Sequence, residues 1–427
     1  NMPKVVVVGG GWAGCGAAIS AKAAGADVVV LERTDCLLGT GLVGGIFRNN
    51  GRFTAAEEMI AMGGGDLFHL MDKAARHKNV EFPGHHHASL YDVSLMEPMV
   101  RRYMIEKGID VRVIHRASDV VHSCDRINGI MLENEEVVEG DVYIETTGTA
   151  GPQNNCIKYG NGCAMCALRC PSWGGRISVA GKMGIVEKVG KKKDGSIGAM
   201  SGSCKLHKDS VAKSIIEEME RTGCALVPVP KDLVHTEKLA AKACQQYALP
   251  EFADNLVLLD TGHVKLMTPF FPLEDLRKVP GMENSRYEDP YSGGKGNSMR
   301  YLALSPRDDT LKVIGAENLF CAGEKAGLLV GHTEAVVTGV LAGNNAVRYA
   351  LGKPLVTIPT SISIGDAITH VREQMETEDG MGLKYTFSGA QYFKRMQELK
   401  LYTLDIPAIK ERVEKAGMTN LFAQEVK

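Results

Sequence analysis

Residues 4–33 read KVVVVGGGWAGCGAAISAKAAGADVVVLER, and this stretch decides the fold. Lys4–Val8 is a short run of valines, the pattern of a strand buried on both faces. Residues 9–14 break that run with glycines, and residues 15–24 are mostly small, as suits a helix lying close on a sheet. Asp27–Leu31 then repeats the strand pattern. Strand, turn, helix and strand in this order make a dinucleotide-binding unit. Gly9, Gly11 and Gly14 occupy the Gly-x-Gly-x-x-Gly positions. The first permits the tight turn, the second lets backbone approach a pyrophosphate, and the third lets helix and strand touch. Glu32 ends the second strand, where a carboxylate accepts ribose hydroxyls and disfavours a 2′-phosphate.

Outward from this unit, residues 39–45 form a second glycine-rich loop, and helices are predicted over 55–60, 67–76 and 96–107. Strands are predicted over 110–114, 119–122, 129–132 and 141–145, closed by Gly148. Residues 150–205 are rich in cysteine and glycine and read as loops and short strands. Helices over 210–221 and 233–247 follow, then a strand over 318–322 with a helix over 334–351 behind it. Beyond residue 360, stretches 364–375, 388–400 and 407–416 have helical spacing. The expected architecture is α/β. A discontinuous Rossmann-type domain of residues 1–150 and 311–358 carries an inserted cysteine-rich domain of residues 151–310, and residues 359–427 form a helical tail.

Composition narrows the function. The 427 residues leave room for two or three domains of about 150 residues. Lys plus Arg is 49 and Asp plus Glu is 51, a net charge of −2 with no single-sign block, which weighs against a dedicated nucleic-acid binder. Glycine, at 48 residues, is about 11% of the chain against a usual share of about 7%, and it clusters where backbone would meet a ligand. No apolar run approaches the roughly 18 residues of a membrane span, and no basic segment followed by an apolar one marks a leader. A soluble chain in a reducing cytoplasm is expected, its 11 cysteines serving as free thiols, metal ligands or redox groups.

The opening segment resembles the N-terminus of FAD-dependent oxidoreductases of the glutathione-reductase superfamily, and DVYIETTG at 141–148 resembles their strand ending in Ala-Thr-Gly. The segment NLFCAGEKAGLLVGHTEAVVTGVLAGNNAVRYALGK at 318–353 is similar to the FAD-closing segment of two groups of tRNA-modifying flavoproteins. These are the glucose-inhibited division protein A family and the folate-dependent tRNA uracil methyltransferases. The resemblance implies FAD. By position Gly9, Gly11, Gly14, Glu32 and Arg33 would hold the ADP half, with Gly39 and Gly148 on neighbouring loops and Val120 offering backbone to the adenine. Gly323 and Glu324 would lie at the ribityl and diphosphate, and the helix starting near Thr333 would point at the flavin. Glu324 stands where the tRNA modifiers have glutamine, and one extra residue falls between Gly327 and Gly331. His332 replaces their tyrosine and is a candidate proton donor.

Cys156, Cys163, Cys166 and Cys170 follow the spacing Cys-x6-Cys-x2-Cys-x3-Cys-Pro, whose last part matches the bacterial ferredoxin run. A [4Fe–4S] cluster is expected there. Structural zinc is the alternative, and Arg169-Cys170-Pro171-Ser172 also resembles the Arg-Tyr-Cys-Pro-Ser segment of the division-protein family, in which reading Cys170 is a nucleophile. The consecutive His85, His86 and His87 read as a polar loop, and residues 191–195 as a solvated hairpin tip.

These observations converge on an FAD-dependent oxidoreductase passing electrons between flavin, a cluster and a small-molecule substrate or redox partner protein. No second glycine fingerprint is present, so NAD(P)H would dock only transiently. A tRNA-modifying flavoenzyme using Cys170 is one alternative, and an electron-carrier subunit of a larger complex is another. Neither membrane nor nucleic acid is an expected partner, and a homo-oligomer is compatible with the sequence.

Overall fold

Five strands form one parallel sheet in the order Leu319–Cys321, Val142–Glu145, Lys4–Val8 (β1), Asp27–Leu31 (β2) and Asp110–Arg112 in the computed structural model. The model describes residues 2–149, 173–191, 194–196, 199–201, 203–241, 245–268, 271–288, 298–300 and 302–427. Val8 pairs with both Leu31 and Glu145, and Glu145 pairs with Cys321. The strand ends are therefore level, and Gly9, Glu32, Thr146 and Ala322 emerge together at the carboxyl edge, where open α/β sheets bind ligands.

The helix Trp12–Ala23 (α1) lies against the helix His332–Ala350, and small residues on both make the contact. A Cβ on Gly339 would stand 2.2 Å from the Ala13 carbonyl oxygen, and one on Gly343 would stand 2.2 Å from that of Ala17. Ser20 Oγ donates to the Val340 carbonyl at 2.6 Å. Chain segments more than 300 residues apart thus close one nucleotide-binding half.

The inserted stretch builds a four-stranded antiparallel sheet in the order Cys204–Leu206, Val264–Leu266, Asn255–Asp260, Cys224–Pro228. Alternation sends Leu256, Leu258, Val264 and Leu266 to one core and Val257 and Leu259 to another. The second core is shared with Ile46, Val80, Phe82 and Leu90, so the insert is fused to the N-terminal part through the hairpin Ala75–Phe82 and His85–Tyr91. The tail helices Ser363–Gln374, Ala390–Glu398 and Ile406–Lys415 join the principal core through Val371, Tyr392 and Val413. Glu58, fully buried, accepts from Ser363 N at 2.8 Å and from Arg412 Nη1 at 2.9 Å, which caps the first of these helices.

Two local expectations are corrected. Residues 233–247 hold short 3-10 turns at Lys231–Leu233, Thr236–Ala241 and Gln245–Tyr247 instead of one helix. Of the described residues there, Leu233, Gln246 and Tyr247 are buried, too few at helical spacing to sustain a helix. The histidine triplet opens a strand, because the turn at Gly84 (φ +75°) folds residues 85–91 back on 75–82. The cysteine run 156–170 lies outside the described residues. Among the described residues no helix is long and apolar enough to cross a membrane.

The helix contact predicts that Gly339→Val forces the two helices apart at a cost of about 1–3 kcal/mol, read as a lower denaturant midpoint at fixed FAD concentration.

Candidate active site

The glycine loop has the geometry of a phosphate cradle. Gly9 has φ +103°, and a Cβ there would stand 2.4 Å from the Thr146 carbonyl oxygen, so only glycine fits. A Cβ on Gly14 would meet the Gly9 carbonyl oxygen at 1.9 Å. At Gly11 the nearest atom is 4.0 Å away, which leaves an open space over the backbone. Gly11 also caps α1 without a side-chain bond, so the first-turn amides are available to an anion. Glu32 is buried, with Oε1 accepting from Gly10 N at 3.0 Å and Oε2 from Thr34 N at 2.7 Å. Each oxygen keeps a further lone pair for a ribose hydroxyl.

A single cleft, about 1560 Å³ with its open mouth included, joins this loop to the insert. Around Glu32 stand Arg33, Arg116 and Ala117, and Arg176 lines the same cleft. Arg33 Nη1 donates to the Gly174 carbonyl at 2.6 Å and Arg116 Nε to that of Gly175 at 2.6 Å. Around Gly44 stand Ile46, Gly331 and His332, and the insert adds Gln246, Tyr247, Lys265 and Met267. His332 opens its helix with its ring edge-on to Trp12 and Tyr91, 6.3 and 6.1 Å between centroids. Tyr247 is held by His85, whose ring lies 4.8 Å from it and which stacks in turn on Phe82 at 4.7 Å.

Buried ion pairs fix the walls. Arg52 Nε lies 3.0 Å from Glu334 Oε1, and Glu334 Oε2 also accepts from Thr386 Oγ1 and Phe387 N, tying the start of the His332 helix to the tail. Glu145 at the end of its strand accepts from Val179 N and Ala180 N, while the buried Lys325 pairs with Glu187. Burial works to raise the Glu187 carboxyl, but Lys325 and Ser178 outweigh it and hold the group below the usual range. Glu324 accepts from Thr149 Oγ1 and faces Lys384, whose ammonium burial pushes down to about 8.

Of the residues singled out from sequence, Gly9, Gly11, Glu32, Arg33, Gly39, Gly148, Gly323, Glu324 and His332 line the cleft. Gly14 and Thr333 lie behind its wall, the former at the α1 turn and the latter buried in its helix. Val120 is not among the residues that line the cleft. It sits within the strand Ala117–Ser123, paired with Ile130, and the cleft wall there is Arg116 and Ala117. Cys156, Cys163, Cys166 and Cys170 lie outside the described residues, and among the described residues no group of three or more potential ligands could hold a metal. Burial raises the Cys224 and Cys321 thiols to about 12, so neither is a ready nucleophile. Arg116, Arg176, Tyr247 and Lys265 were missed, because no local motif announces a residue that the tertiary fold alone brings to the cleft.

The fold and this cleft define the class of FAD-dependent oxidoreductases: the open backbone at Gly11, the amide-held Glu32 and the uncapped helix fit the ADP half of FAD. The chain belongs to the glucose-inhibited division protein A family, whose model matches residues 4–248 and 265–354. It is 36% identical over 97 residues to a methylenetetrahydrofolate–tRNA-(uracil-5-)-methyltransferase of Dictyoglomus thermophilum, covering 22% of this chain and 21% of that protein. It is 32% identical over 111 residues to the tRNA uridine 5-carboxymethylaminomethyl modification enzyme of Chlorobaculum tepidum, covering 26% and 17%. The match thus spans about a fifth of the curated relatives' own length. A solved structure of Aquifex aeolicus GidA superposes with a TM-score of 0.62 at 17% identity, covering 97% of this chain and 76% of that one, a likeness of fold.

Two outcomes follow. A Cβ at Gly11 would meet nothing nearer than the Leu38 carbonyl oxygen at 4.0 Å yet would enter the cradle, so in Gly11→Ala FAD affinity should fall at least about tenfold with the circular-dichroism spectrum retained. Lys384 titrates in the folded chain near 8 against about 10.4 when unfolded. Between those values the unfolded chain binds more protons, so stability rises with pH there, and the burial penalty is complete below pH 8. Lys384→Met should therefore raise the melting temperature by ~2–4 °C at pH 7, with the gain shrinking toward pH 10.

Proposed function

We propose that this flavoenzyme acts on RNA as an FAD-dependent tRNA-modifying enzyme. The observation that carries the reading is the family match across residues 4–248 and 265–354, which takes in both the glycine loop and most of the insert that walls the far end of the cleft. The printed names of the relatives, a tRNA uracil methyltransferase and a tRNA uridine modification enzyme, support the substrate class.

Bound FAD supplies two-electron chemistry, and the protein supplies position and electrostatics. Gly9, Gly11 and the α1 amides would hold the pyrophosphate, and Glu32 would orient the ribose. Met267 and Tyr247 of the insert line the wall and would limit water there. His332 brings Nε2 to Gly44, where a Cβ would stand 2.5 Å away, and can hold a proton at that atom. Tyr247, braced by the His85 ring, puts an aromatic side chain on the cleft wall, the kind of group on which bases stack. The reading needs no iron–sulfur cluster. The four clustered cysteines carry that idea by spacing alone, and neither the family match nor the relatives add to it.

A second reading, a redox enzyme for a small molecule, is favoured by the balance of 49 basic against 51 acidic residues. Fluorescence anisotropy with labelled tRNA separates the two. The proposal expects saturable binding that weakens at least about tenfold between 50 and 200 mM salt. Absence of binding at low salt, with flavin turnover on a small donor and acceptor, would favour the second reading. Iron and acid-labile sulfide analysis on the same anaerobic sample reports on the cysteine run.

A further inference from the structure

Away from the cleft, three side chains from distant parts of the chain line up in one hydrogen-bonded relay. Ser94 is the second residue of the helix Val93–Glu106, which Asp92 caps by accepting from Ser94 N at 2.9 Å. His263 stands at the turn between the insert's strands Asn255–Asp260 and Val264–Leu266. Glu288 N donates to the Lys205 carbonyl at 2.8 Å, which seats Glu288 on the strand that pairs with Val264–Leu266. Val93 N donates to the Thr261 carbonyl at 3.1 Å, so the start of the helix is tied directly to the turn. A Cβ on Gly262 (φ +90°) would stand 2.6 Å from Asp92 Oδ2, and glycine therefore lets the turn press against the helix cap.

Ser94 Oγ lies 2.8 Å from His263 Nε2, and His263 Nδ1 lies 2.6 Å from Glu288 Oε2. A carboxylate only accepts, so Nδ1 carries the proton and Nε2 turns its lone pair to the Ser94 hydroxyl. His207 Nδ1, 3.6 Å from Glu288 Oε1, is beyond hydrogen-bond reach of the same carboxylate. Ser94 is exposed, while the side chains of His263 and Glu288 are 25% and 18% exposed. An open nucleophile, a partly covered base and a mostly covered acid are what acyl transfer asks for. Fastening the helix to the insert is already done by the Val93–Thr261 bond, and that purpose needs no carboxylate to set a tautomer.

We infer that Ser94, His263 and Glu288 form a second, flavin-independent active site that hydrolyses small carboxylic esters. Ser94 Oγ attacks the ester carbonyl carbon while His263 Nε2 takes the hydroxyl proton. The bond from that carbon to the alkoxy oxygen then breaks, and the proton leaves with the alcohol. Water, deprotonated by the same nitrogen, cleaves the acyl-serine to the carboxylic acid and restores Ser94. No electrons are transferred, and water is the co-reactant. Glu288 is a positioning residue that holds the ring in one tautomer. The Ser94 and Leu95 amides already donate to Asp92, so the oxyanion is met by the positive end of a 14-residue helix and by solvent. That confines the site to esters with good leaving groups, and the exposed Leu95 and Pro98 beside Ser94 offer a short acyl chain apolar contact. None of the three residues lines the cleft, so the inference stands whether or not FAD is bound.

The test uses the purified full chain with 4-nitrophenyl acetate, followed by nitrophenolate absorbance, and with a fluorophosphonate, followed by intact mass and peptide mapping. The expected result is saturable ester hydrolysis and an adduct on the peptide that carries Ser94. Ser94→Ala abolishes the adduct and lowers hydrolysis at least about tenfold, and His263→Gln lowers both rates by as much. Glu288→Gln slows labelling at least about tenfold with the circular-dichroism spectrum retained. Glu288→Asp recovers part of that rate, a rescue that a merely structural role would not give. No adduct on Ser94 in the wild-type chain, or labelling equally fast in His263→Gln, would overturn the inference and leave the three residues a fastener between helix and insert. Should Ser94→Ala fail to fold, the adduct mapped on the wild-type chain and the His263→Gln rate still decide.

Discussion

Everything in this molecule depends on the contact between α1 and the helix His332–Ala350, where Gly16, Gly339 and Gly343 let two backbones meet. That contact joins chain segments over 300 residues apart and brings the Leu319–Cys321 strand beside Val142–Glu145. With the sheet closed, four strand ends stand level and their following residues share one edge. The cradle at Gly11, the acid at Glu32 and the amide-rich start of the His332 helix then face one space without any further device.

The second constraint is the way the insert is fixed to that edge. Glu145, at the tip of a core strand, holds the Val179 and Ala180 amides, and Lys325 reaches Glu187 in a fully buried position. Broken singly, such pairs leave an uncompensated buried charge, so they fix geometry more than they add net stability. On the other side the hairpin 75–91 shares a core with the insert's sheet. The insert therefore meets the cleft from a rigid platform, where Gln246, Tyr247, Lys265 and Met267 line it.

The nucleotide half was legible in the sequence because its signals are local. Gly9, Gly11, Gly14 and Glu32 lie within 24 residues and obey a spacing with a physical reason at each position. The closing segment near Gly323 was legible through resemblance. The far wall was not, nor was Arg116 beside Glu32, since Lys265, Tyr247 and Arg116 are ordinary residues in ordinary surroundings until the fold brings them to the cleft. The stretch 233–247 misled because its leucines and alanines have helical propensity, which is a weak prior where few side chains are buried.

The account stands on FAD filling the cleft that the glycine loop and the insert enclose. Its most direct test is the absorption spectrum and flavin content of the purified chain, before and after incubation with FAD and removal of the excess. The account predicts flavin bands and about one FAD per chain, released on denaturation. A protein that carries no flavin and retains none after reconstitution would contradict it.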